Sequence, residues 1–177
     1  MIQSVRAGSS ARGCPAGAAR RHAPGFWALL GMALLAAPAI ASQACELQLF
    51  EHRSGRLLMN FPLDASSAAA QIAFEHSVLG TTVIDTYLFT PTAVLIEESF
   101  EGEGYGLPHA AGPGERLSRE GARQRLHLYR PVEPLVIRPL PEQRMRLVTP
   151  SRQVLLGSLS PSAAIELQAQ GCPTRHP

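Results

Sequence analysis

The chain has no lysine; all 16 of its basic residues are arginine. They form no basic cluster and are not interleaved with aromatic side chains, so the electrostatic footprint of a nucleic-acid-binding protein is missing. The sequence also lacks an internal repeat and any amphipathic helical pattern of ten or more residues. That excludes helical bundles and solenoids. Cysteine is scarce, three in 177 residues. A cysteine-dense scaffold or a Cys-rich zinc module is therefore ruled out.

The one long apolar run is at the start. Arg6, Arg12, Arg20 and Arg21 precede an uncharged stretch from Phe26 to Ala37. Pro38 breaks that run, and Ala39-Ile40-Ala41 supplies small-x-small cleavage chemistry. Residues 1–41 read as a secretory signal peptide, with cleavage before Ser42. The run is too short to span a bilayer comfortably. Cys45 stands where a lipoprotein would carry its anchor, but Ser42 replaces the leucine such a site needs three residues earlier. That argues against lipid attachment and leaves a periplasmic or secreted protein with no stable membrane span.

Residues 42–177 then form a single β domain. It keeps 12 arginines against 14 acidic residues, a net charge near −2 rather than the precursor's +2. Cys14 leaves with the leader, so Cys45 and Cys172 remain, one at each end. An oxidising compartment permits one bridge between them, closing a 127-residue loop. Chain entropy assigns such a closure roughly 5 kcal/mol.

The mature chain reads as short strands divided by Gly, Pro and polar turns: 46–51, 56–63, 72–78, 83–89, 93–100, 124–129, 135–138, 143–149, 153–158 and a last one around Ile165–Ala169. The class expected is all-β, an antiparallel sandwich or partly closed barrel of about 8–10 strands. Residues 109–122, rich in Gly, Ala and charge, read as a surface loop. The four prolines between 131 and 141 confine Leu135–Arg138 to an edge.

The most informative stretch is Phe74 to Tyr87. Ile72, Phe74, His76 and Val78 share one parity, and Val83, Asp85, Tyr87 and Phe89 form a second in-phase set. Gly80-Thr81 suits a two-residue type II′ loop. That register places His76 opposite Asp85, with Cβ atoms about 4.5–5.5 Å apart. The pair reads either as a structural pin for the register or as a binding or catalytic site. Ser77 points to the other face, so a Ser-His-Asp relay cannot form within the hairpin. Further on, Gly102, Gly104 and Gly106 lie in a loop that allows close backbone approach. With no lysine and no following helix it is not a phosphate loop. Glu97, Glu98, Glu101 and Glu103 form a local acidic cluster that matches no metal-ligand spacing, and no cofactor is implied.

His76-Ser77-Val78, Asp85 nine positions on, and Gly104-Tyr105-Gly106-Leu107-Pro108 resemble the domain of unknown function 1850 family. In that family the pattern runs His-Ser-Val-Glu, an acidic residue, then Gly-Ala-Gly-Leu-Pro. This chain carries Leu79 at the first Glu, Asp85 at the second acidic position and Tyr105 at the Ala. The resemblance implies a small exported protein encoded beside TAXI-type TRAP transporter components, and it implies no reaction. The candidate binding residues are His76, Ser77, Asp85, Gly104, Gly106 and Pro108. Three readings stand: an accessory or binding protein of a TRAP/TAXI transport system, a periplasmic hydrolase or metal-dependent enzyme using His76 and Asp85, and a structural envelope protein.

Overall fold

The computed structural model describes residues 44–90, 92–103 and 106–174. The expected leader, residues 1–41, lies outside them. Among the described residues eleven strands form two antiparallel sheets. Strands β1 (Glu46–Glu51), β2 (Arg56–Pro62), β8 (Leu135–Ile137) and β11 (Ile165–Gln170) make a four-stranded sheet in the order β2-β1-β11-β8. The seven-stranded sheet runs β10 (Gln153–Leu155), β9 (Arg146–Val148), β3 (Ala69–Glu75), β4 (Thr82–Phe89), β5 (Ala93–Glu101), β7 (Arg123–Val132), β6 (Arg116–Glu120). The sheets pack as a sandwich and do not close into a barrel. Among the described residues no helix is long and apolar enough to cross a membrane.

Period-two patterning builds the core. Leu47, Leu49, Phe61, Ile165 and Leu167 from one sheet meet Ile72, Val83, Phe89, Leu95, Phe100, Leu126 and Leu147 from the other. Each strand thus gives one face to the interior, as alternation requires. Cys45 and Cys172 are joined, tying the start of β1 to the end of β11. Those strands are also direct neighbours, Glu46 pairing with Gln170. The bridge therefore locks a pairing that the ladder already makes.

Several expectations need correction. The segment 109–122 is not all loop: Arg116–Glu120 is β6, an edge strand paired to β7. Its sequence, Arg-Leu-Ser-Arg-Glu, has a single apolar residue. An edge strand half open to water needs no more than that, so the hydrophobic pattern gives it no signal. The expected strand 143–149 shortens to β9, preceded by a 3-10 turn at Pro141–Gln143 and by Arg144 in the left-handed region at φ 48°. The expected strand 153–158 ends at Leu155 and turns into a one-turn helix, Leu156–Leu159. β8 does lie at a sheet edge, as its flanking prolines require.

Candidate functional site

The hairpin joining β3 to β4 differs from its expected form. Ile72 pairs with Asp85, Phe74 with Val83 and Glu75 with Thr82. His76 donates its backbone N–H to Thr81 O at 2.8 Å, so the loop is Ser77–Gly80, four residues long. The Gly80 amide bonds back to His76 O at 2.8 Å, and Gly80 has φ 65°. The imidazole completes the turn: its Nδ1 accepts the Val78 and Leu79 amides, each at 3.3 Å. His76 is thus a loop cap, as Asn and Asp side chains are elsewhere. The register differs from the expected one by four residues. Four is even, so every side chain keeps its face. His76 and Asp85 nevertheless separate along the sheet, by roughly 13 Å at the ordinary rise per residue. The two-residue loop with glycine first does occur in this chain, but at Gly121-Ala122 between β6 and β7, where Glu120 pairs with Arg123 and Gly121 has φ 63°.

The partner of Asp85 is a glutamate. Asp85 pairs with Glu98 of β5. Across the inner face the row reads Leu147, Ile72, Asp85, Glu98, Leu126, Leu117. Two carboxyl groups therefore stand side by side in an apolar row. Burial, and then the Glu98 charge, push the Asp85 carboxyl up to about 7. Burial raises Glu98 as well; Arg130 opposes this and Glu115 adds to it. Glu115 in turn is held by Arg130 at 3.2 Å and accepts the Gly112 amide at 2.9 Å. Burial, Asp85 and Glu98 together push the Tyr87 phenol up. A carboxyl group titrating near 7 can take up or release a proton in ordinary buffer. Among the described residues no imidazole or hydroxyl nucleophile is paired with it.

The sequence names Glu98 only as a member of the acidic cluster and not as the partner of Asp85, because a bulge between Leu95 and Glu97 changes the phase of β5. The parity it shares with buried Phe100 is the signal that could have found it. The acidic cluster is dispersed by the same alternation. Glu97 faces outward beside His127 at 3.5 Å, Glu101 bonds Arg123 at 3.0 Å, and Glu103 pairs with Arg119. Ser99 also lies on the outer side of the sheet, where it is covered by Arg123 and accepts from its Nη1 at 3.1 Å. It cannot serve as a nucleophile for an inward-facing base. Among the described residues no group of three or more His, Cys, Asp or Glu side chains is placed to hold a metal ion.

The loops carrying the other candidate residues do meet. Thr81 Oγ1 donates to Glu101 O at 3.0 Å, and Gln124 Nε2 donates to Gly102 O at 2.9 Å. A Cβ on Gly102, whose φ is 96°, would come within 3.2 Å of Leu79 Cδ1. The positive φ calls for glycine there, and a side chain would in addition push the Leu79 tip aside by a few tenths of an ångström. The His76 loop is thus braced against the root of the glycine loop. Ser77 is exposed, Gly106 is exposed at φ 89°, and Pro108 is half-buried beside Leu107, which packs on the core. Gly104 lies outside the described residues. At the tip of the capped loop Val78 is 61% exposed.

No curated protein and no solved structure matches this chain. A family model does match, over residues 70–156, from β3 through β10. The match takes in all but the first residue of the seven-stranded sheet, with the carboxyl pair and both braced loops; β1, β2 and β11 fall outside it. Through that segment, just under half of its length, the chain matches the family described as Domain of unknown function (DUF1850).

Proposed function

We propose that this protein is an exported, periplasmic β domain that works as an accessory binding subunit beside a TRAP/TAXI-type transport system. The observation that carries the reading is the braced hairpin loop. A rigid turn, capped by His76 and tied to Glu101, holds an apolar side chain, Val78, in solvent. Ordering such a tip beforehand lowers the entropic cost of docking. The Cys45–Cys172 bridge supports an oxidising compartment. The transport link is motivated by the sequence resemblance around His76 and Gly106, whose family implies a neighbour of TAXI-type TRAP components. The separation of His76 from Asp85 removes the geometric basis for a hydrolase built on that pair.

Crosslinking in cells, followed by capture of the tagged protein, tests the reading. A TAXI substrate-binding protein or its membrane partner should be recovered with the native chain. Recovery should fall at least tenfold for Val78→Glu, whose melting temperature should match the native one. If no transporter component is recovered from cells expressing both, a structural envelope role replaces this reading.

A further inference from the structure

Two of the five large apolar side chains that stand exposed among the described residues line one cleft. They are Leu140, 40% exposed, and Leu155, 45% exposed. The cleft holds about 360 Å³ and lies between the 3-10 turn and the short helix. Pro139, Pro141, Met145 and Pro161 complete walls that are mostly apolar. Its volume lies within the roughly 300–1,000 Å³ range of small-molecule sites.

One charged residue lines it, Arg144. Arg144 has φ 48° and ψ 41°, a left-handed conformation that a side-chain-bearing residue adopts at a cost. Strain of this kind persists where the surroundings enforce it and gathers at functional sites. The Arg144 side chain is 72% exposed, and its Nη1 sits 3.3 Å from Oε1 of Glu75, whose side chain is 36% exposed. An open pair of this sort holds its partners weakly, so a competing anion can displace Glu75. None of the residues lining the cleft is acidic.

We propose that this cleft binds a single-chain amphiphile with an anionic carboxylate head. Its alkyl chain lies on Leu140, Met145 and Leu155, and its head accepts from the Arg144 guanidinium. The apolar walls explain the two exposed leucines, and the lone cation selects the sign of the head group. A guanidinium–carboxylate contact can be bidentate, which gives direction as well as charge. This site does not depend on the transport reading; the cleft and the Val78 loop are tested separately.

Decanoate, titrated below its micelle concentration and followed by the Met145 methyl resonance, is the test. Decanoate should shift that resonance saturably. Decyltrimethylammonium, with the same chain and the opposite charge, should bind at least tenfold more weakly. Arg144→Gly removes the guanidinium and relieves the backbone, so it should fold at least as well as the native protein. It should weaken decanoate about tenfold or more and erase the preference between the two heads. Leu155→Glu should abolish the shift. Three results would overturn the proposal: no saturable change at Met145, equal binding of the two amphiphiles, or native affinity for decanoate in Arg144→Gly.

Discussion

Asp85 is predicted to be a destabilising residue at neutral pH, and replacing it should make the protein more stable. Its carboxyl lies in an apolar row beside Glu98, and burial plus that neighbour raise it from its ordinary 3.8 to about 7. At about 1.4 kcal/mol per pH unit, the folded protein disfavours the ionised form by about 4 kcal/mol. In the unfolded chain the group ionises above about pH 4. Between about 4 and 7 the native state therefore holds the extra proton, and native stability falls as pH rises through that window. Below it the carboxyl is neutral in both states and the cost disappears. Asn reproduces the neutral acid's shape and cannot ionise. Asp85→Asn should add about 2–4 kcal/mol at pH 8 and almost nothing at pH 4. For a domain of this size that is roughly a 10 °C rise in melting temperature at pH 8. Melts at half-unit steps from about pH 4 to 8 would show the curves of the native protein and the Asp85→Asn variant diverging. A gain that is equal at all pH values, or absent at pH 8, would refute the argument.

Three further outcomes follow from named contacts. His76→Ala leaves the Val78 and Leu79 amides without their imidazole acceptor and should cost about 1 kcal/mol in denaturant melts; His76→Asn should recover part of that by capping the same turn. Replacing Cys45 and Cys172 together with Ser releases the 127-residue loop and should cost about 2–5 kcal/mol, with no further loss when reductant is added to the double variant. Phe100→Ala empties a fully buried site and should cost about 3–5 kcal/mol. Loss below about 1 kcal/mol would place Phe100 outside the core.

Alternation is a local property, and it is enough to identify most of the strands. It also places Leu126 and Leu128 inward with Arg125 and His127 outward, and it identifies the meander from β3 to β5. Proline spacing puts β8 at an edge. Cysteine count and position name the bridge, and short motifs name the family. What the residues alone do not decide is pairing. Glycine at 80 satisfies both a two-residue turn and a four-residue one, since either accepts its positive φ. The choice falls to the His76 imidazole, which caps the longer loop, and to a continuous ladder with β9 and β5. An even shift in register leaves every buried face unchanged, so the hydrophobic pattern cannot distinguish the two. The Asp85–Glu98 pairing, the Arg130–Glu115 contact and the Leu140–Leu155 cleft each depend on how a bulge, a long loop and a strained Arg144 fall in space. Those are decided by the summed packing of distant segments, and no single stretch of this chain contains them.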